Sequence, residues 1–172
     1  MTRIELAPAE PYQLETLSNL FQLYLYDFSV YFCDDPGEQI GEDGLYDPGF
    51  EMARYFEPSG YRAYLGRVDG RLAGFALVTE QVQHRVGPGR LIEDFFVLRC
   101  YRRRGVGRSM AFQLFDTFRG YWEIAQIASN KPAQAFWRKV IGEYTQRRYR
   151  EFVAAPNRYG DDVWQVFDSS EW

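Results

Sequence analysis

"LIEDFFVLRCYRRRGVGRSM", residues 91–110, decides how the chain is read. Its first half is an apolar run of strand character that carries two adjacent acids, Glu93 and Asp94. Regular alternation puts Leu91, Glu93, Phe95 and Val97 on one face and Ile92, Asp94, Phe96 and Leu98 on the other. Both faces are otherwise apolar, so the strand is expected to be covered on both sides. A carboxylate there carries a desolvation cost unless it is paired, hydrated or used. The second half, Tyr101 to Arg108, is an arginine- and glycine-rich turn that opens an amphipathic segment. The first N–H groups of a helix lack internal partners and sit at the positive end of its dipole. Gly105 and Gly107 would let a ligand approach that backbone closely. A strand, such a turn and then a helix make a site suited to phosphates, pyrophosphate above all. The sequence has no GxxxxGK[ST] element, so this is not a P-loop, and the lack of GxGxxG with an acid about 20 residues on argues against a dinucleotide fold.

Outward from this stretch the pattern stays mixed. "TRIELA" reads as a first strand and "ETLSNLFQLYLYDFSVYF" as a long helix. That helix carries more aromatics (Tyr24, Tyr26, Phe28, Tyr31, Phe32) than one core-facing stripe needs. They read as core plus interface, with room for a homodimer, or as one edge of a substrate pocket. "FEMARYF" is a short helix candidate. "YRAYLGRVDGRLAGFALVTE" is a hairpin around Asp69-Gly70. "GRSMAFQLFDTFRG" is a helix with Gly120 at its stop, and "WEIAQIA" a strand. Asn130 or Ser129 caps a helix "KPAQAFWRKVIG". "YTQRRYREFV" and "VWQVFDS" read as two closing strands. The expected fold is α/β, with order β-α-α-β-β-β-α-β-α-β-β and a mixed, mostly antiparallel central sheet flanked by helices, in a single domain over residues 1–172.

Composition narrows the classes. At 172 residues with 46% hydrophobic side chains, the chain can bury a real core. A net charge of −4 argues against general nucleic-acid binding. Two cysteines, Cys33 and Cys100, and one histidine, His84, are too few for a metal cluster, and no metal is expected. The N-terminus has no signal core and no run reaches membrane length, which leads to the expectation of a cytoplasmic protein with reduced thiols. Residues 33–49 hold six acids and no lysine or arginine. That loop is either a solvated face or a funnel for a cationic substrate.

The stretch Arg102-Arg103-Arg104-Gly105-Val106-Gly107 resembles the hallmark of the GNAT superfamily of acyl-CoA-dependent N-acetyltransferases. "IEDFFV" is similar to the matching strand of the spermidine/spermine N-acetyltransferases, and "NKPAQAFWRKVIGEYT" to a later family segment. The resemblance implies acetyl-CoA as co-substrate and an amine, on a small molecule or a peptide, as acceptor. It implies that main-chain groups of Phe95, Phe96 and Val97 pair with the pantetheine arm. Arg102, Arg103, Arg104, Gly105, Val106, Gly107 and Arg108 would hold the pyrophosphate, and Asn130 and Ala133 would border the arm. Glu93 would accept the amine's proton. Where many relatives carry a tyrosine that protonates the thiolate, this chain has Trp137, whose indole is no usable acid. Tyr144 and Tyr149 are alternative acids or plain core residues. Two rivals remain: a non-catalytic acyl-CoA-binding or sensor domain, and a phosphate-ligand module unrelated to coenzyme A.

Overall fold

The computed structural model describes residues 2–32, 39–157 and 160–171. Seven strands form one sheet: β1 (Ile4–Pro8), β2 (Tyr61–Val68), β3 (Arg71–Thr79), β4 (Arg90–Val97), β5 (Tyr121–Ile127), β6 (Arg150–Asn157) and β7 (Gly160–Asp168). Their order is β1-β2-β3-β4-β5-β7-β6, and every neighbouring pair is antiparallel except β4–β5. Three helices cover the sheet: α1 (Leu14–Phe28), α2 (Val106–Thr117) and α3 (Lys131–Tyr144). This is the expected α/β fold. Among the described residues no helix is long and apolar enough to cross a membrane.

Local chemistry explains the elements. Leu17, Leu20, Phe21 and Tyr24 recur at helical spacing along α1 and pack on Leu65, Phe75, Leu77 and Phe96 of the sheet. On the other face Ala111, Leu114 and Phe115 of α2 join Trp137, Val140 and Ile141 of α3 against Ala76, Val78, Ile92 and Ile124. Asp69 and Gly70 both take positive φ (48° and 78°), the geometry that lets a two-residue turn match the twist of its strands. Asn130 caps α3, its Oδ1 accepting the Ala133 N–H at 3.1 Å, with Pro132 in the first turn.

"FEMARYF" forms a short helix as expected, of the 3-10 type, at Met52–Phe56. Two expectations are corrected. The first half of "YTQRRYREFV" is the end of α3 and a turn, with positive φ at Gln146 and Arg147, and the strand starts at Arg150. The second lies in β4. Against β3, Leu77 faces Asp94 and the next residue, Val78, faces Ile92, so Glu93 is the extra residue of a β-bulge. A bulge breaks the period of two. Asp94 therefore lies opposite Leu77 on the α1 face, and Glu93 reaches Tyr55 of the same face. Phe95, opposite Ala76, belongs to the α2/α3 face. Glu93 thus shares a face with Asp94 and Phe96, and not with Phe95 and Val97.

Candidate active site

β4 and β5 diverge. They pair only at Arg90–Trp122, Leu91–Glu123 and Ile92–Ile124. Beyond the bulge the β5 side of β4 has no strand partner, while its other side stays paired to β3 down to Val97–Gly74. Leu98 N–H donates to the Ala73 carbonyl, and the Phe96 carbonyl lies so near Gly74 that a Cβ there would sit 2.0 Å from it. By strand alternation the main-chain groups of Phe95 and Val97 then point the other way, into the gap toward β5. Phe96 gives its main chain to β3 instead. In the gap the Val97 carbonyl accepts Arg102 Nε at 2.7 Å.

The gap leads to the start of α2. Gly105 is left-handed (φ 78°, ψ −2°) and Arg103 also has positive φ, 60°. The first intrahelical bond is Ser109 N–H to the Gly105 carbonyl, so Val106, Gly107 and Arg108 present N–H groups without intrahelical partners. Gly107 packs closely: an added Cβ would lie 3.2 Å from the Phe136 ring and 3.4 Å from Val97. The arginines divide by role. Arg102 and Arg99 both pair with Asp27 of α1, tying that helix to the turn. These bonds outweigh the burial of Asp27 and hold its carboxyl below the usual range. Arg108 pairs with Glu143 of α3 at 2.5 Å, and Arg104 reaches the Cys100 carbonyl at 3.4 Å. Arg103 stands exposed.

On the far side of the gap Asn130 accepts a second bond, from the Tyr31 hydroxyl at 3.0 Å. A line of rings, Phe96–Tyr24–Phe28–Tyr31, spaced 5.9, 5.4 and 5.5 Å, carries α1 from β4 to that cap. Glu93, the divergence of β4 and β5, the α2 N-terminus and the α3 cap are thus brought together. Ala133 packs at the edge of the α2/α3 core. Trp137 is buried with its ring edge-on to Phe95 (5.0 Å) and Phe136 (4.9 Å). Tyr144 donates to Asp116 at 2.8 Å and accepts from Arg119; burial and that carboxylate push it up to about 12. Tyr149 packs on the α2/α3 core. His84 sets its ring against Trp164 (4.3 Å) and Phe152 (4.9 Å). Cys100 is exposed. Of the acidic loop, Glu42, Asp43 and Asp47 are exposed; Cys33, Asp34, Asp35 and Glu38 lie outside the described residues. A concavity of about 980 Å³, lined by Arg138, Lys139, Arg147 and Tyr149 among others, lies along α3 and β6; of the expected residues it holds only Tyr149, the alternative acid.

The acids of β4 are partnered by residues that no motif flagged. Tyr55 donates to Glu93 Oε2 at 2.7 Å, and Arg54 Nη2 donates to the Tyr55 oxygen at 2.9 Å while lying 3.5 Å from Glu93. Arg54 is stacked over Phe50 (4.1 Å) and Tyr61 (4.5 Å). Asp94 is hydrogen-bonded by Tyr24. Part of Asp94 remains accessible, yet the protein around it is dense, and desolvation dominates. Burial raises its carboxyl to about 6, with the Glu93 charge adding and Tyr24 and Arg54 opposing.

The comparisons agree with this architecture. The Acetyltransferase (GNAT) family profile matches residues 17–142, well over half of the chain. The chain belongs to the GNAT acetyltransferase family. The fold is similar to that of the ribosomal-protein-S18-alanine N-acetyltransferase of Escherichia coli: 16% identity, TM-score 0.60, 98% of this chain and 95% of that one covered. It is also similar to aminoglycoside 6'-acetyltransferase type Ii (15%, 0.63, 96% and 97%). A third similar structure is Arabidopsis thaliana NAA60 in complex with acetyl-CoA (17%, 0.58, 96% and 99%). No curated protein matches the sequence. At these identities the structural likeness speaks for the fold alone, and the family rests on the sequence profile.

Proposed function

We propose that the protein transfers an acetyl group from acetyl-CoA to a primary amine by direct attack, with Glu93 accepting the amine's proton. The observation that carries this reading is the divergence of β4 and β5, with Glu93 bulged at its inner end and unpaired helix N–H groups at its outer end. An extended pantetheine arm fits an edge that offers main-chain groups from Phe95 and Val97, as a strand would. The turn Arg102 to Arg108 would take the pyrophosphate, through the N–H groups of Val106, Gly107 and Arg108 and the exposed Arg103. Asn130 and Ala133 would border the arm. In the step itself the N–C bond forms as the thioester C–S bond breaks. The amine's proton goes to Glu93, and coenzyme A leaves as a thiolate that takes a proton from water. Positioning and carbonyl polarisation by a main-chain N–H of β4 supply the rest.

Two carboxylates on one face, with Glu42, Asp43 and Asp47 exposed on the loop after α1, support a cationic small amine as acceptor. The likeness of "IEDFFV" to the spermidine/spermine enzymes points the same way. Thiol release from acetyl-CoA across polyamines, aminoglycosides, simple amines and peptide N-termini tests the reading. Trp137, buried against Phe95, favours a second reading in which the fold binds acyl-CoA without turnover. Acetyl-CoA that raises the melting temperature while every amine fails to release thiol would select that reading.

A further inference from the structure

We infer that Tyr55, held by Arg54, is the residue that positions Glu93 for proton acceptance. This rests on the reading of Glu93 as the base. A phenol has one proton to give, and a guanidinium can only donate. Arg54 Nη2 donates to the Tyr55 oxygen at 2.9 Å, so the phenolic proton is left for Glu93 Oε2 at 2.7 Å. With Glu93 as a carboxylate, which can only accept, the direction of that bond is fixed: Tyr55 is the donor. Arg54 itself approaches the same Oε2 at 3.5 Å. Both protein donors converge on one oxygen, and Oε1 is the atom that takes the incoming proton.

The holder is itself held. Tyr55 is 2% exposed, edge-on to Phe50 (5.9 Å) and Tyr61 (5.6 Å). Arg54 lies over the rings of Phe50, Tyr55 and Tyr61 at 4.1, 4.9 and 4.5 Å, a cation–π arrangement that leaves the guanidinium little freedom. Glu93 needs such a tether. It is the bulged residue of its strand, and a glutamate has three side-chain torsions to order. A base displaced by about 1 Å can lose a hundredfold in rate. Burial, and the neighbouring Glu93 and Asp94 charges, hold the Tyr55 proton far above its ordinary range, so Tyr55 orients without giving its proton away.

A double-mutant cycle tests the inference: kcat and amine KM for wild type, Tyr55→Phe, Glu93→Gln and the double variant, with acetyl-CoA affinity and melting temperature for each. Expected is a loss of about 10- to 100-fold in kcat for Tyr55→Phe, the worth of one hydrogen bond to a charged group. Acetyl-CoA affinity should be unchanged, and the double variant should be no slower than Glu93→Gln. Equal loss on both backgrounds would make Tyr55 a structural residue and overturn the inference, as would a Tyr55→Phe enzyme of normal kcat. A normal Glu93→Gln enzyme overturns the base reading, and this inference with it; an impaired Glu93→Gln enzyme with additive Tyr55→Phe overturns this inference alone. Should Tyr55→Phe fail to fold, Arg54→Met reports on the same relay. Its loss should be smaller and should vanish on the Glu93→Gln background, and persistence there refutes the relay.

Discussion

Asp94→Asn should stabilise the protein at high pH and lose that advantage in acid. The carboxyl of Asp94 stands at about 6 in the fold against an ordinary 3.8. Between those values the native state binds more protons than the unfolded chain, so stability falls as pH rises through this window. Above pH 6 the charged form destabilises the fold by at most about 3 kcal/mol. Asparagine keeps the shape and can still accept from Tyr24, but it buries an amide N–H₂ that costs about 1–2 kcal/mol if unpaired. At pH 8 the net gain should be about 1–2 kcal/mol, or roughly 2–8 °C in melting temperature for a chain of this length. The amide cost is common to both conditions and cancels when they are compared. The change in the variant-minus-wild-type difference from pH 4 to pH 8 should therefore be about 2–3 kcal/mol. Urea unfolding of both proteins at the two pH values measures it. A difference that is the same at pH 4 and pH 8 would refute the claim that Asp94 is desolvated beside Glu93.

Asp27 should behave with the opposite sign. Its carboxyl is held low by Arg102 and Arg99, so Asp27→Asn should cost up to about 1 kcal/mol at pH 7, since both arginines are exposed, and less as pH falls below 4, read by thermal melts. Glu93→Gln should lower kcat by roughly 10²–10⁴-fold with acetyl-CoA affinity unchanged, and the rate should recover at high pH, where more of the amine is already deprotonated; near-normal kcat removes Glu93 from the chemistry. Gly105→Ala meets no neighbouring atom within 4 Å, so its cost of about 1–2 kcal/mol comes from the left-handed backbone alone, and calorimetry should show weaker acetyl-CoA binding; unchanged affinity in a folded variant counts against the pyrophosphate assignment.

The parts of the fold that were legible in the sequence are those encoded locally. Asp69-Gly70, the Asn130 cap and the arginine–glycine turn each specify a backbone conformation through their own residues. The bulge at Glu93 was not legible, because alternation along a strand assumes an unbroken register, and register is a property of two strands. Tyr55 and Arg54 were hidden for a related reason. They lie 38 and 39 residues from Glu93 in a 3-10 turn whose own sequence carries no chemical motif. The two omissions have one cause and one consequence. An unbulged strand would put Glu93 against α2 and α3, away from Tyr55, and would leave Asp94 alone beside Tyr24. The extra residue turns Glu93 onto the α1 face, beside Asp94 and within reach of Tyr55. Two adjacent carboxylates then repel each other, and each has its own partners: Glu93 takes the Tyr55 bond and the nearby arginine, and Asp94, raised by burial, takes Tyr24. As pH rises through about 6, Asp94 gains its charge and the face it shares with Glu93 becomes more negative. One inserted residue in β4 thus sets the charge of the face that Glu93 and Asp94 share.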